Sequence, residues 1–231
     1  MIQQCYRILE DLSGLLYPVT CLVCGDRLGD DAYLCGYCMD HAFPESGEEG
    51  WESGSGMVLP EWIATQVALW EFDKGGYLQD VLHHLKYSGL ADLGRLLGER
   101  LGYKLMRNRF MTVSGGTVLL PVPLHPARQR KRGYNQSALI ANGIAVVTGA
   151  QTAANGAVVR VSNTRTQTGL SAADRKENLK GVFQVRDAKT FRGRDVIIVD
   201  DVITTGATAF ELARQISPSA LKTGVATIAR A

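Results

Sequence analysis

The chain has 231 residues, of which 45% are hydrophobic and 21% are charged, and its formal net charge is +2. This length accommodates one α/β domain with a small additional module, and the composition is typical of a soluble globular protein. The low net charge argues against a surface built throughout for nucleic acid, although it leaves room for a local basic patch.

The N-terminal segment, up to about residue 16, has apolar residues at the spacing of an amphipathic helix. Its polar face is not basic, which favours docking on the protein itself over attachment to a membrane surface. Arg7, Glu10 and Asp11 interrupt any apolar run here, so no secretory signal is expected. No segment has the length and composition of a membrane span. We therefore expect a cytoplasmic protein with reduced cysteines.

Four cysteines, Cys21, Cys24, Cys35 and Cys38, form two Cys-x-x-Cys pairs separated by ten residues. Each tight turn directs two thiolates towards one point, and four sulfurs suit tetrahedral Zn²⁺. A redox pair and buried thiols are the alternatives, but a thioredoxin-type pair requires a βαβ context that is absent here. We expect a structural zinc ion in a compact module, because four sulfurs leave no coordination position open for catalysis.

Residues 45–57 consist largely of Gly, Ser and Glu, which predicts a linker or exposed loop. The predicted organisation is an N-terminal helix and zinc module over residues 1–44, this linker, and an α/β domain over residues 58–231. Strand and helix patterns alternate in the last range, which predicts a mainly parallel sheet covered on both faces. The predicted strands cover residues 64–72, 117–124, 157–161, 195–201 and 223–230, and the predicted helices cover residues 77–87, 91–105, 135–148, 172–180 and 206–216.

The strongest functional signal is the segment VIIVDDVITTGAT, which begins at Val196. Asp200 and Asp201 end its buried strand, the position at which open α/β sheets bind ligands, and are the expected catalytic residues. Two adjacent carboxylates suit hydrogen bonds to the vicinal hydroxyls of a ribose. They can also stabilise positive charge on a sugar ring whose C1 leaving group departs. The residues that follow offer backbone amides, hydroxyls and a helix N-terminus to a phosphate group, and are Thr204, Thr205, Gly206, Ala207 and Thr208.

Other nucleotide sites fit this segment less well. A Walker B strand would require G-x-x-x-x-G-K-[ST] elsewhere, and the nearest string, GLADLGR (residues 89–95), has Arg95 in place of Lys. A dinucleotide site would require G-x-G-x-x-G, which the sequence lacks. A purely structural strand with a capped helix would explain the threonines but not both aspartates.

The segment VIIVDDVITTGAT resembles the phosphoribosyl pyrophosphate signature of type I phosphoribosyltransferases. Together with the cysteine pairs, PVPLHPARQRKRGYNQS (residues 121–137) and RTQTGLSAADRKENLKGVF (residues 165–183), it makes nearly the whole chain resemble the ComF/GntX-like family. The resemblance implies a type I phosphoribosyltransferase-like α/β fold: a mainly parallel five-stranded sheet flanked by helices, an irregular hood and a small N-terminal zinc ribbon. The family is linked to competence and DNA uptake in some bacteria.

The segment HPARQRKRGYNQ carries Arg128, Arg130, Lys131 and Arg132 directly after a predicted strand. The resemblance makes this turn the pyrophosphate loop, in which Arg128, Lys131 and Arg132 bind the ligand's oxygens. A solvated charged loop and a nucleic-acid contact remain alternatives. The resemblance also implies a mobile loop near residues 164–183 that excludes water from the site, with Arg165 as a further ligand. Lys86 matches the family's pattern, but the sequence assigns it no role.

Two functional hypotheses follow. In the first, the protein is an enzyme, a glycosyltransferase of the pentosyltransferase class. It binds phosphoribosyl pyrophosphate with Mg²⁺ and transfers the ribosyl group to an acceptor that the sequence does not identify. In the second, it is a non-catalytic phosphoribosyl pyrophosphate sensor or scaffold, which uses the zinc module and the basic turn to bind DNA, DNA-uptake proteins or another partner. The sequence does not determine the oligomeric state.

Overall fold

A computed structural model of the chain describes residues 19–29, 33–50, 58–162 and 181–231. The predicted N-terminal helix and the predicted helix over residues 172–180 lie outside these ranges. Within the described part of the chain, no helix is long and apolar enough to cross a membrane.

One six-stranded sheet forms the centre of the fold, in the order β1-β2-β8-β7-β3-β4. The pairs β2–β8, β8–β7, β7–β3 and β3–β4 are parallel, which confirms the five-stranded parallel sheet, and β1 pairs antiparallel with β2. The carboxyl ends of the five parallel strands therefore share one edge. The strands are β1 (Glu48–Gly50), β2 (Thr65–Glu71), β3 (Val118–Pro121), β4 (Gln151–Thr152), β7 (Asp195–Ile203) and β8 (Lys222–Arg230).

Helices cover both faces of this sheet, as the alternating pattern predicted. On one face lie α2 (Tyr77–Tyr87), α3 (Ala91–Leu105) and α5 (Gln136–Thr148), whose apolar residues share a core with Leu119 and Ile197. On the other face α6 (Ala207–Ile216) packs against a second core. The observed bounds of the first two helices equal the predicted ones, because their apolar residues recur with the helical period.

Glycines allow α3 and α5 to pack with their backbones close together. A Cβ atom added at Gly98 would lie 2.1 Å from the carbonyl oxygen of Ile140, and one added at Gly143 would lie 2.1 Å from that of Arg95. Only glycine tolerates such an approach. The close packing holds the start of α5, which carries Ser137, against the sheet.

A small antiparallel sheet lies beside the main one. It consists of β5 (Val158–Arg160) and β6 (Phe183–Val185), with a 3₁₀ turn at Ala188–Phe191 before β7. The strand predicted over residues 157–161 therefore lies here and not in the main sheet, whose fifth parallel strand is β4. The sequence did not predict β4, because two residues are too short to show an apolar pattern. The segment predicted to be a mobile loop connects β5 and β6, and residues 163–180 of it lie outside the described ranges.

The cysteine module, which includes the short helix α1 (Gly36–His41), packs directly on the α/β domain. Cys21, Cys38 and Phe43 belong to the same buried core as the residues of α2 and α3, and the ring of Phe43 lies 4.6 Å from that of Trp70. Asp40 and Arg100 form an ion pair across the junction. The module is therefore an integral part of one face of the core.

Strand β1 falls within residues 45–57, where the sequence predicted a linker or exposed loop. Glu48–Gly50 instead pairs with the first residues of β2. An edge strand is held by main-chain hydrogen bonds, which do not require apolar side chains. The amino-acid composition of residues 45–57 therefore did not indicate this strand.

Candidate functional site

The acidic pair, Asp200 and Asp201, lies at the carboxyl edge of the sheet, on the strand between β8 and β3. Strand β3 ends at Pro121, which pairs with Val199, so both aspartates extend past the end of that neighbour. On the other side Asp200 pairs with Thr227 of β8. The two side chains therefore reach the edge at which parallel sheets bind ligands, as the sequence predicted.

Asp201 forms an ion pair with Lys86 of α2. The Nζ atom of Lys86 lies 2.6 Å from Oδ2 of Asp201, and their side chains are 25% and 8% exposed. Burial would raise the pKa of Asp201, but the ammonium group of Lys86 outweighs it and lowers that pKa. Burial would likewise lower the pKa of Lys86, but the negative charge of Asp201 outweighs burial and raises that pKa. The pair is therefore ionised.

Asp200 is held by a different set of contacts. Its Oδ1 atom accepts a hydrogen bond from Oγ of Ser137 (2.9 Å) and another from the backbone amide of Asp201 (2.9 Å). Burial, followed by the adjacent negative charge of Asp201, raises the pKa of Asp200 well above its usual range. The two carboxyl groups thus differ in protonation behaviour although they are neighbours in sequence.

The predicted phosphate-binding residues form the turn that follows β7 and the first turn of α6. Thr204 and Thr205 are exposed, and Gly206 adopts a left-handed conformation with φ of 71° as the N-cap. A Cβ atom there would lie 2.3 Å from the ring of Phe210. Gly206 has no side chain with which to cap the helix, so the first backbone N–H groups, which begin with those of Ala207 and Thr208, are suited to bind an anion.

The predicted basic turn is a helix, α4 (Pro126–Arg132). His125 caps its N-terminus by accepting from the amide of Ala127, Pro126 occupies the first turn, and Gly133 ends the helix with φ of 82°. Proline at the start and glycine just past the end are favourable at these positions, so they stabilise a helix where the charged sequence alone indicated a turn. The helix follows the carboxyl end of β3.

The four basic residues of α4 have different surroundings. Arg132 donates from Nη1 to Oε1 of Gln136 (2.8 Å) and stacks over the ring of Tyr87 at 5.2 Å. Its charge contributes to the lowered pKa of Asp201, so it lies near the acidic pair. Arg128 is half-buried, whereas Arg130 and Lys131 are exposed. Arg165, predicted to bind the same ligand, lies outside the described residues.

Three further residues near the acidic pair had no assigned role in the sequence. Lys86 matched a family pattern only. Ser137 lies in the first turn of α5, which Asn135 caps, and no motif pointed to it. Arg160 is the third: burial and then Arg128 lower its pKa, and Asp200 opposes them. These residues come from three separate elements, so no local motif could have indicated them.

A cleft of about 730 Å³ lies among α4, α5 and the ends of β3, β4 and β5, and none of the described predicted site residues lines it. This size suits a small-molecule ligand. Arg160 lines the cleft and is also close enough to Asp200 for their charges to interact. Arg160 is therefore the residue that links this cleft to the acidic pair.

The four cysteines of the module lie together, with all their Sγ atoms within 4.8 Å of one another. A tetrahedral zinc site with bonds of about 2.3 Å separates its sulfurs by about 3.8 Å, and the Sγ atoms of Cys24 and Cys35 are 3.8 Å apart. The backbone amides of Cys35 and Cys38 donate to Sγ of Cys21 and Cys35, respectively, at 3.4 and 3.3 Å. The donor set and its spacing fit a metal ion such as zinc.

Thiol protonation also favours a metal in this cluster. Burial would raise the pKa of Cys21, but backbone hydrogen bonds from Cys24 and Cys35 outweigh it and lower that pKa to about 6. Burial and the neighbouring thiols raise the pKa of Cys38. Without a cation the four thiols cannot all ionise so close together, whereas a divalent metal stabilises four thiolates.

Sequence comparison identifies relatives of this chain, although no family model matches it. It is 32% identical to competence protein F of Haemophilus influenzae over 199 residues, which are 84% of this chain and 76% of that protein. It is 34% identical to the DNA utilization protein YhgH of Shigella flexneri and to that of Escherichia coli K12 over 152 residues. That alignment covers 65% of this chain and 64% of each relative, so the chain spans slightly less than two thirds of their length.

Structure comparison finds a solved chain titled as the structure of the allosteric regulatory enzyme of purine biosynthesis. The two are 20% identical with a TM-score of 0.37, over 58% of this chain and 25% of that one. This similarity is too low to support a conclusion about fold or function. The relation to competence protein F is much closer, since it combines 32% identity with coverage of most of both chains. On that ground, the chain belongs to the competence protein F family.

Proposed function

We propose that this protein binds phosphoribosyl pyrophosphate together with Mg²⁺ and transfers the ribosyl group to an acceptor, with release of pyrophosphate. The observation that carries the proposal is the acidic pair at the carboxyl edge of the sheet, directly before the turn that opens α6. This arrangement puts two carboxylates, suited to sugar hydroxyls, next to a helix N-terminus, suited to a phosphate.

Each part of the ligand has a matching group in the proposed site. The turn from Thr204 to Thr208 would bind the 5-phosphate through hydroxyls and backbone amides. Asp200 and Asp201 would accept hydrogen bonds from the ribose hydroxyls. The basic residues Arg128, Lys131 and Arg132, with Arg165 from outside the described ranges, would bind the pyrophosphate. Mg²⁺ enters as part of the substrate, bound to its pyrophosphate oxygens.

The chemistry is the replacement of one bond at C1 of the ribose by another. The bond from C1 to the pyrophosphate oxygen breaks and its electron pair leaves with the pyrophosphate, while the acceptor supplies the electron pair of the new bond. Positive charge develops on the ring, and the ionised carboxylate of Asp201 would stabilise that charge. Arg132, whose charge acts on Asp201, would stabilise the charge on the departing pyrophosphate.

The other regions have supporting roles in this proposal. The module within residues 1–44 would hold structural zinc, residues 45–57 would join it to the main domain, and residues 58–231 would form the phosphoribosyltransferase domain. The cysteine cluster fits a reducing compartment, which supports a location in the cytoplasm.

Titration calorimetry with phosphoribosyl pyrophosphate and Mg²⁺ tests the proposal directly. The parent protein should bind, and a variant with both Asp200→Asn and Asp201→Asn should bind at least a hundredfold more weakly while it retains its circular dichroism spectrum. The reason is that each lost charge-assisted hydrogen bond costs about 1.5–3 kcal/mol. Equal affinity of the two proteins would remove the ribose-site assignment.

A second candidate function is the binding of DNA or of a DNA-uptake protein. The names of the relatives, competence protein F and DNA utilization protein, favour it, as do the exposed cations Arg130 and Lys131. If α4 contacts DNA, neutralising these two residues should weaken DNA binding and lower its salt dependence by about one unit per lost phosphate contact. Binding of phosphoribosyl pyrophosphate would then be much less affected.

A further inference from the structure

In the acidic pair, one oxygen of each carboxylate is already engaged by the protein. Oδ2 of Asp201 lies 2.6 Å from Nζ of Lys86. Both hydrogen bonds that Asp200 accepts from described residues end on its Oδ1, one from Oγ of Ser137 and one from the amide of Asp201. These contacts leave Oδ1 of Asp201 and Oδ2 of Asp200 for a ligand, apart from the interaction that the two carboxyl groups make with each other.

The two side chains that make these contacts come from helix ends that are themselves held in place. Lys86 lies in the last turn of α2, where the hydroxyl of Tyr134 donates to the carbonyl of Leu85 at 2.7 Å. Ser137 is fully buried in the first turn of α5. The preceding Asn135 donates from Nδ2 to the carbonyl of Val122, just beyond β3, at 3.0 Å. The sheet and two helices thus fix the contacts before any ligand arrives.

We propose that Lys86 and Ser137 are positioning residues: each occupies one oxygen of a carboxylate, so that Asp201 Oδ1 and Asp200 Oδ2 form a two-acceptor site for the vicinal 2- and 3-hydroxyls of a ribosyl ligand. This inference rests on the proposed function and identifies what makes that site selective for a ribosyl over a deoxyribosyl group.

Pre-organisation is the physical reason for this role. An unrestrained aspartate loses rotamer freedom when it binds a sugar, and a carboxylate already fixed by the protein avoids much of that cost. Lys86 also keeps the buried carboxylate of Asp201 ionised beside Asp200. A ligand with both hydroxyls satisfies both acceptors, whereas a ligand without the 2-hydroxyl leaves one buried acceptor unpaired.

The test compares ribose 5-phosphate with 2-deoxyribose 5-phosphate by calorimetry. The parent should prefer the ribose ligand by about tenfold, which is the effect of about one hydrogen bond. The Lys86→Met variant should lose about tenfold in affinity for ribose 5-phosphate and much of this preference, and Lys86→Arg should restore both. Ser137→Ala should show a smaller loss of the same kind. Lys222→Met, which removes an exposed lysine at the opposite edge of the sheet, should behave as the parent.

The outcomes separate this inference from the proposed function. If the parent binds neither sugar phosphate, the proposed function fails. If the parent binds and discriminates but Lys86→Met does so equally well, only the positioning role is overturned.

Carbon-13 carboxyl resonances of the ligand-free protein give a second measurement. The resonance of Asp201 should move most in the Lys86 variants, and that of Asp200 should move most in Ser137→Ala. Unchanged resonances in both would overturn the inference whatever the sugars do. Lys86→Gln, which keeps a donor on a side chain of similar length, replaces Lys86→Met in both experiments if the latter does not fold.

Discussion

The cysteine module and the acidic pair both gather side chains that repel one another when ionised, and they differ in where the compensating charge comes from. In the module, four thiols lie close enough together to hold a metal cation, which would supply the compensating charge. In the acidic pair, the cation is Lys86, which the packing of α2 delivers to Asp201. The first site therefore depends on an external ligand for its order, whereas the second is assembled by the fold itself.

A second difference concerns how each site is attached to the rest of the molecule. The cysteine module contributes Cys21, Cys38 and Phe43 to the main core, so its order affects the domain beneath it. The acidic pair lies at an edge, where Asp200 and Asp201 contact side chains of neighbouring helices. Loss of the first site should therefore reduce global stability most, whereas changes at the second should reduce it less and should also weaken ligand binding.

The largest expected effect comes from removing the metal ligands of the module. Structural zinc contributes about 10 kcal/mol or more to the folding of zinc-finger peptides. Chelation, or Cys24→Ser with Cys35→Ser, should therefore abolish metal binding and lower the melting temperature of the whole protein by about 20 °C or more, since 1 kcal/mol corresponds to about 2–4 °C in a protein of this length. Elemental analysis and calorimetric unfolding measure these effects. A purified parent without zinc or another thiophilic metal would contradict the assignment.

The next effect concerns the ion pair that the fold itself supplies. Lys86→Met leaves the carboxylate of Asp201 buried without its partner and should lower the free energy of unfolding by about 3 kcal/mol. Adding Asp201→Asn should recover much of that loss, because the unpaired charge is then absent. Urea unfolding of the parent, both single variants and the double variant measures the coupling. Additive single effects would show that the two groups do not interact.

A smaller effect, on ligand affinity, is expected from Arg132 of α4, which lies near the acidic pair. Arg132→Gln should weaken phosphoribosyl pyrophosphate binding by about 2 kcal/mol, because a charge-assisted contact to pyrophosphate is lost. Ribose 5-phosphate, which lacks pyrophosphate, should bind the variant and the parent alike. Arg130→Gln is the matched control, since that side chain is exposed. Equal loss of both ligands would mean that Arg132 supports the fold rather than the pyrophosphate.

The smallest effect, taken per pH unit, is the dependence of stability on pH, which Asp200 controls between about pH 4 and about pH 8. The raised pKa of Asp200 means that the folded protein retains a proton that the unfolded chain releases near pH 4. The free energy of unfolding should therefore fall as the pH rises above about 4, by at most about 1.4 kcal/mol per pH unit. Asp200→Asn should flatten this slope. The lowered pKa of Asp201 acts in the opposite sense, with its stabilisation lost as the pH falls below about 4.

Much of the architecture was predictable from local pattern. The apolar periodicity of residues 77–87 and 91–105 predicted two helices with the observed bounds, and the strand with both aspartates was found where expected. The spacing of the cysteine pairs predicted four convergent sulfurs, which the structure contains. The sequence also held an unused signal for α4, since Pro126 and Gly133 stand at the positions that start and end a helix.

What the sequence by itself determined is therefore the set of elements and the identity of the reactive groups, because hydrophobic period and motif spacing are local properties of the chain. Only the tertiary structure decided which side chains meet. Strand β1 joins the sheet through main-chain hydrogen bonds, which the amino-acid composition of this segment does not predict. Lys86 and Ser137 reach the acidic pair because α2 and α5 pack on the same face of the sheet, beside the end of β7. Contacts between residues far apart in the chain arise from packing, and packing depends on the whole fold.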